Sequence, residues 1–371
     1  MILKTFGWSF GITVVALAGA FILGGPSAFA LVAILSILEI SLSFDNAVVN
    51  ATVLQRMSAF WQKMFLTVGI VIAVFGMRLV FPLIIVGITA RLSPVTAVHL
   101  ALDGGSVDTP GTYANLLHAA HPSIAAFGGM FLLILFLDFI LEDREIRWLT
   151  WLEGPLARIG KLDQLSVVVA LGALTAAAEA FAKHVDTVMV AGVLGIITYL
   201  LVNGLGELFE AGGDDEDDET HEGTGVPTGG PTRLVRATGK AAVFLFLYLE
   251  VLDASFSFDG VIGAFAITQD IFIIAVGLGV GAMYIRSLTV YLVRKGTLSE
   301  YVYLEHGAHW AIGALAVILL VTIKHEVPEV VTGLIGVGFI AAAFVSSVLR
   351  NRRRDHDDSS GAREELGAAV P

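Results

Sequence analysis

The sequence predicts an all-α membrane protein, a polytopic helix bundle with inverted repeats and about nine or ten transmembrane helices. Hydrophobic residues make up 56% of the chain and charged residues only 15%, against about 25% charged residues in a soluble domain. The mean hydropathy is +0.81. The apolar runs approach the roughly 20 residues that a spanning helix needs. Because backbone groups in lipid must be hydrogen-bonded within the protein, these runs are predicted to be helices.

Ten hydrophobic segments follow one another along the chain. The first six form a first membrane half, residues 1–203, and the last four form a second half, residues 238–349. The acidic, Gly-rich and Pro-rich stretch 204–237 is predicted to be a disordered cytoplasmic linker, and residues 350–371 a charged cytoplasmic tail. The predicted segments are 6–24, 29–54, 64–90, 123–141, 165–181, 185–203, 238–267, 270–293, 306–323 and 329–349.

The distribution of Lys and Arg residues sets the predicted orientation. With the N-terminus inside, the inner segments hold seventeen Lys and Arg residues, and the outer segments hold only Arg91, Lys183 and Lys324. This bias places both termini in the cytoplasm of a multi-pass protein of the plasma membrane. The first segment also fits a cleaved signal peptide, because an apolar run leads from Lys4 to Ala28-Phe29-Ala30. Both interpretations of that segment stay open.

An acidic pattern occurs twice in the apolar segments. Aligning Ser43-Phe44-Asp45 with Ser257-Phe258-Asp259 places Glu39 opposite Asp253. The first copy is predicted to run from outside to inside and the second from inside to outside, so the copies form an inverted repeat, an architecture typical of transporters. Each copy is followed by an apolar helix with one arginine, Arg78 after the first and Arg286 after the second.

These ionisable residues lie where lipid disfavours charge. A centred Asp or Arg costs about 2.5–3.5 kcal/mol on insertion scales. A structural explanation is that the arginines pair with the acids, but simple pairing accounts for two acids at most. The remaining formal charge of −3 favours a bound cation or protonated carboxyls. The acids are Glu39, Asp45, Glu250, Asp253 and Asp259, and the arginines are Arg78 and Arg286.

Helical periodicity arranges the polar residues unevenly. On one face of the first copy lies a polar stripe, Ser36, Glu39, Ser43, Asn46 and Asn50. Asp45 falls about 120° from Glu39 on a straight helix. In the second copy Asp259 lies roughly opposite Glu250. Either each helix serves two sides, or it is broken at the Ser-Phe-Asp step so that both acids converge.

The oxygen-rich donor set indicates a hard cation, since carboxylate, amide and hydroxyl oxygens suit Mg²⁺, Mn²⁺ or Ca²⁺. The chain has no cysteine, so thiolate sites are excluded. His306 and His309 share a helix face and fit either a metal or proton role or an interfacial anchor. The predicted metal ligands are Glu39, Asp45, Asn46, Glu250, Asp253 and Asp259, with Arg78 and Arg286 balancing charge and Ser43, Ser257, Glu305, His306 and His309 as accessory residues.

The stretch Leu38-Glu39 to Asp45-Asn46-Ala47 resembles the TerC (tellurium-resistance C) family of integral membrane proteins, within the lysine-exporter-like superfamily. The second copy and Tyr303 to His309 resemble most closely its branch called domain of unknown function 475. The resemblance covers about residues 29–349. It implies manganese export, resistance to tellurite, and ion binding by Glu39, Asp45, Asp253 and Asp259. Glu250, the paired histidines and the acidic linker depart from the manganese exporters.

Together these features predict a secondary transporter that exports a divalent cation, most simply Mn²⁺, in metal or tellurite-type stress resistance. Its partners would be membrane lipid and the transported ion, with no permanently bound cofactor. The net charge of −12 argues against nucleic acid. Because no P-loop or HExxH pattern occurs, the chain is not expected to be an enzyme. The alternative is a membrane scaffold that recruits cytoplasmic stress-response proteins and whose buried charges are structural. The sequence leaves the oligomeric state open.

Overall fold

The computed structural model describes residues 2–162, 164–211, 239–268, 270–296 and 300–368. Most of the predicted linker therefore lies outside the described residues. The backbone but not the side chain is described at 2–4, 41, 42, 44, 45, 81, 89, 205–211, 240, 241, 257–259, 262, 263, 265, 266, 329, 330 and 354–368.

The described chain is a bundle of helices without a β-strand, which confirms the predicted fold class. A π-helix, Ile72–Val80, lies between α3 and α4. The helices are α1 (Ile2–Leu42), α2 (Phe44–Leu54), α3 (Ala59–Val71), α4 (Phe81–Thr89), α5 (Pro94–Asp103), α6 (Tyr113–Leu141), α7 (Thr150–Ile159), α8 (Leu165–Phe181), α9 (Val185–Ala211), α10 (Gly239–Ile267), α11 (Ile271–Lys295), α12 (Leu304–Thr322) and α13 (Glu329–Ala368).

Within the described residues, seven helices are long and apolar enough to cross a membrane. Their outer faces carry large exposed apolar side chains, such as Leu23 at 90% exposure and Trp8 at 80%. A soluble surface rarely exposes so many, and a bilayer covers them. The chain is therefore a multi-pass membrane protein. The shorter α8 has 17 apolar-rich residues.

The first predicted segment and the first part of the second lie in one helix, α1, which reverses its direction at Gly25, and the second segment continues into α2. The φ of Gly25 is 72°, in the left-handed region that favours glycine. In the half before this residue, the Ser9 hydroxyl lies 2.9 Å from that of Ser287. The Thr13 hydroxyl donates to the Tyr284 hydroxyl over 3.2 Å. As α1 advances from Ser9 to Thr13, its partner position on α11 moves backwards, so this half runs antiparallel to α11.

The half of α1 after the reversal runs in the other direction. The Ser36 hydroxyl donates to the carbonyl of Gly277 over 3.0 Å. One turn later Glu39 packs directly against Gly281. Here both helices advance together, so this half is parallel to α11 and antiparallel to the first half. The two segments predicted as separate passes are therefore two antiparallel rods joined by a single kink.

The two acidic copies are antiparallel in the structure. Glu39, at the level of Gly281 of α11, also faces Gly260 of α10. Glu250 of α10 meets α11 further along, at Arg286. Thus α10 runs antiparallel to α11 and to the second half of α1, which confirms the predicted inverted orientation of the copies.

The predicted helix break occurs in the first copy only. Ser43 separates α1 from α2 with φ −97° and ψ 16°, although its amide still donates to the Glu39 carbonyl over 2.9 Å. In the second copy α10 is continuous from Gly239 to Ile267, so of the two alternatives the unbroken helix holds there. Gly260, which follows Asp259, lies within this helix.

Two separate hydrophobic cores flank the charged residues. Along the chain from α1 to α2, Leu35 belongs to one core and Val48 to the other, with Glu39 between them. Along α11, Leu278 and Val290 flank Arg286 in the same way. We call the core with Leu35 and Leu278 the upper core and the other the lower core. The charged side chains thus lie inside the bundle in one layer between the two cores, which we call the charged level.

Candidate functional site

The first copy holds a buried ion pair between Glu39 and Arg78. Both residues are 3% exposed. Arg78 Nη2 donates to Glu39 Oε1, and the Ser43 hydroxyl donates to the same oxygen over 3.2 Å. The other terminal nitrogen of Arg78 donates to the carbonyl of Ala73 over 2.8 Å, within the π-helix. π-Helical turns frequently occur at functional sites, and here the wider turn carries the arginine that neutralises Glu39.

The second copy holds a larger buried cluster around Arg286, which is 1% exposed. Its two terminal nitrogens donate to the two oxygens of Glu250 over 3.1 and 3.0 Å. Nη2 also donates to Asp253 Oδ2 over 3.2 Å. The guanidinium stacks 4.1 Å above the ring of Phe65, in a cation–π contact that is stronger when desolvated. One arginine therefore holds two carboxylates on one face of α10.

Small residues allow the charged groups to approach neighbouring helices. A Cβ on Gly69 of α3 would overlap Arg286 Nη1 and lie 2.8 Å from Glu250 Oε1. A Cβ on Gly260 would lie 3.1 Å from Glu39 Oε2. Asp259 directly precedes Gly260 in the chain, so the backbone of the second copy passes next to the carboxylate of the first. The inverted repeat thus brings its two halves together at Glu39.

The pairing differs from the sequence prediction in one respect. The expectation that two arginines account for two acids at most is wrong, because Arg286 contacts both Glu250 and Asp253. Its planar guanidinium offers several donors in a fork, which allows one arginine to bridge two carboxylates. The charges still do not balance, since three described carboxylates face two guanidinium groups at this level. A cation or a proton would complete the balance.

The remaining predicted ligands are only partly described. Asp45 lies in the first turn of α2 and Asp259 in α10, but both side chains, like that of Ser257, lie outside the described residues. Asn46 is buried in α2 at 4% exposure. Among the side chains that the structure describes, no group of three or more His, Asp or Glu residues is arranged to hold a metal ion. A complete ligand set would require Asp45 or Asp259.

Three predicted accessory residues lie elsewhere, at the start of α12. Glu305 lies 3.8 Å from Arg144 and is 40% exposed. His309 Nδ1 lies 2.8 Å from the Glu305 carbonyl, and its ring stacks on Phe139 with centroids 3.6 Å apart. His306 is held by a different residue, described next. The structure therefore does not bring these residues to the carboxylates of the repeat.

Glu153 of α7 is a buried acid that the sequence analysis did not single out. Its carboxylate lies 3.3 Å from His306 Nδ1, accepts from the Trp310 indole over 3.1 Å and accepts from the Trp148 amide over 2.9 Å. These contacts fasten the short α7 to α12. Burial by itself raises the pKa of Glu153, but the hydrogen bonds from His306 and Trp310 outweigh it and hold the pKa below 4.5.

This cluster predicts a pH-dependent contribution to stability. Because the folded pKa of Glu153 is lowered, its stabilisation is fully present above 4.5 and is lost as the pH falls through the folded value. We expect Glu153→Gln to lower the Tm of the detergent-solubilised protein at neutral pH, with a deficit that shrinks below pH 4.5. Thermal unfolding across pH measures this. Glu145→Gln, at an exposed neighbour, should show no deficit, and a Glu153→Gln deficit that stays constant into acid would contradict the assignment.

Comparison with known proteins identifies a family. The family model described as protein of unknown function (DUF475) matches residues 44–354. No curated protein and no solved structure matches the chain.

Proposed function

Because the chain belongs to the DUF475 family, whose function is unknown, we propose its activity from the buried charges: it is a secondary transporter that exports a divalent metal cation, most simply Mn²⁺, across the plasma membrane. The observation that carries the proposal is the burial of carboxylates from two antiparallel copies between two hydrophobic cores, in excess over arginine. Intramembrane ionisable groups are costly and indicate function by default. The wider relationship to the TerC family is part of this proposal.

The cation would bind among the carboxylates of the two copies and displace the contacts that the arginines make with them. Glu39, Asp45, Asp253 and Asp259 are the proposed ligands, with Asn46 adding an amide oxygen. In the ion-free state Arg78 and Arg286 neutralise the carboxylates. An arriving divalent cation competes with the guanidinium groups, because both seek the same oxygens. This competition would limit leakage of other ions through the empty site. Glu250 would take up a proton or adjust the charge of the site.

The expected setting follows from the same proposal. Both termini lie in the cytoplasm, the cation is cargo and not a resident cofactor, and the chain is not an enzyme. Carboxylate oxygens favour hard divalent ions such as Mn²⁺ and Mg²⁺ over soft metals. The acidic linker 204–237 and the tail would lie on the cytoplasmic side and contact lipid headgroups or cytoplasmic proteins.

The well-formed ion pairs favour a second candidate, a membrane scaffold of a stress-resistance complex. In that case Arg78 and Arg286 bind the acids permanently to fix helix positions. Partners would be cytoplasmic stress-response proteins recruited through the acidic linker. The two candidates differ in what neutral substitutions at the acids should do.

A transport assay with two amide substitutions tests the proposal. We expect Asp45→Asn and Asp259→Asn each to reduce Mn²⁺ flux into proteoliposomes at least about tenfold, since loss of about 1.4 kcal/mol of binding corresponds to tenfold in affinity. The matched control is Asp103→Asn, the same change at an exposed acid at the end of α5. If both variants reach the membrane in normal amounts and move Mn²⁺ like the parent, the transporter proposal fails. Loss of stress resistance on deletion of 212–230 alone would support the scaffold.

A further inference from the structure

A polar cavity of about 590 Å³ opens at one end of the bundle. Its wall includes Thr52, Arg56, Asp138, Tyr248 and Glu305. These residues come from α2, α6, α10, α12 and the turn after α2, all at the end predicted to be cytoplasmic. A cavity needs only about 10–15 Å³ to hold one water molecule, so a hydrated ion fits without losing its water shell.

The cavity begins one helical turn from a buried polar stripe. Thr52 and Val53 line it, and Asn50 lies one turn deeper on α2. From Asn50 the stripe continues through Asn46 and Ser43, which are 4% and 7% exposed. It ends at Glu39, whose carboxylate accepts from the Ser43 hydroxyl. The sequence predicted a stripe from Ser36 to Asn50 as a cavity lining; the structure buries these residues, and Asn50 is the one nearest along the chain to the residues that line the cavity.

The side-chain amide of Asn50 is not satisfied by any atom in the part of the chain that the structure describes. The residue is 0% exposed, and within the described part of the chain neither Oδ1 nor Nδ2 has a hydrogen-bond partner. Leaving a buried polar group unpaired costs about 1–3 kcal/mol. Buried side-chain amides in proteins are nearly always bonded. A buried, unpaired amide that lies between a polar cavity and a carboxylate is suited to bind an ion that moves from one to the other.

The opposite side of the carboxylates is closed. The upper core contains Leu35, one turn from Glu39, and Val261, next to Gly260, both at 1% exposure or less. The upper core therefore packs against Glu39 on the side opposite the cavity, whereas the polar stripe leads from Glu39 towards the cavity.

We propose that the cavity and the α2 stripe form the access route of the transported cation, with Asn50 as the narrow step between hydrated entry and the carboxylates. This inference rests on the proposed transport function and adds a direction of access to it. The amide oxygen of Asn50 replaces a lost water ligand, as oxygen donors do for hard cations. In the structure the cavity reaches Thr52 and Val53, and Asn50, at 0% exposure, lies behind them.

Cysteine accessibility tests the route directly, because the chain has no cysteine of its own. We expect Asn50→Cys and Thr52→Cys to react with a small cationic, membrane-impermeant thiosulfonate applied from the cavity side. Val261→Cys, in the upper core, is the matched control and should not react. Mn²⁺ should slow the labelling of Asn50→Cys several-fold. If Thr52→Cys reacts while Asn50→Cys is as inert as Val261→Cys, the route is overturned.

A second variant guards against misfolding of the cysteine proteins. Asn50→Leu keeps the side-chain size and removes the amide, and we expect Mn²⁺ uptake to fall at least about tenfold. Parental uptake by this variant would overturn the role of Asn50. Labelling does not depend on transport, so the two failures are separable. Three results together would refute the transport function and with it the cation route: Asn50→Cys reacts, Mn²⁺ does not slow its labelling, and the parent protein moves no Mn²⁺. The cavity and stripe would then be a water-filled crevice.

Discussion

Replacing Arg286 with methionine is expected to destabilise the protein by about 3–5 kcal/mol. Methionine keeps much of the side-chain volume but leaves Glu250 and Asp253 buried without their shared cation. Removing one partner of a buried ion pair is costly because the remaining charge is neither hydrated nor neutralised. The variant also loses the guanidinium stacked on Phe65. Denaturant or thermal unfolding of the solubilised protein measures the loss.

Neutralising the whole cluster should reverse most of this effect. In Arg286→Met combined with Glu250→Gln and Asp253→Asn, no charge remains, and replacing a complete buried ion pair is often nearly neutral for stability. Arg294→Met is the matched control, since Arg294 lies on the same helix but is exposed. Were Arg286→Met as stable as Arg294→Met, the cluster would not be buried and charged as the structure describes.

The architecture was predictable because its causes are local. Runs of about 20 apolar residues predict helices in lipid whatever their neighbours. The opposed direction of the copies followed from counting passes and inner basic residues. The contacts of Glu39 with Gly260 and of Glu250 with Arg286 bear that orientation out. The reversal at Gly25 fits the two separate segments that the sequence predicted there.

The pairing pattern was not predictable because it depends on helix rotation and packing. The spacing of Glu250 and Asp253 permits one shared face, but the sequence does not show that Arg286 points between them. The break at Ser43 and the continuous helix at Ser257 have the same local Ser-Phe-Asp sequence. Tertiary packing therefore decides between a broken and a continuous helix at this step.

Other residues were missed because their importance arises only in three dimensions. Glu153 is an ordinary acid in the first turn of a short helix, where acids are common. Its burial against His306 comes from the packing of α7 on the end of α12. Asn50 belonged to the predicted stripe, but its lack of a partner among the described residues becomes visible only when its neighbours are placed. The sequence locates the charged residues, and the structure shows which of the described ones are paired.

A paired substitution at the first copy separates a structural role from an ion-binding role for Glu39. Glu39→Gln alone leaves the Arg78 guanidinium buried without its partner carboxylate. Arg78→Met alone leaves the Glu39 carboxylate buried without its guanidinium. We expect each single variant to lose about 3–5 kcal/mol of stability. The double variant carries no charge at this position and should unfold near the parental midpoint. Its fold and its amount in the membrane should therefore be close to those of the parent.

Transport by this folded double variant is the informative quantity. If Glu39 coordinates the cation, Mn²⁺ flux should remain at least about tenfold below the parent, because restored stability does not restore a ligand. If the Glu39–Arg78 pair only holds α1 to the π-helix, function should return together with stability, as the scaffold alternative requires. Measuring unfolding and proteoliposome flux on the same preparations separates these outcomes. A double variant that is stable and moves Mn²⁺ at the parental rate would remove Glu39 from the site and leave the transporter proposal dependent on Asp45 and the second copy.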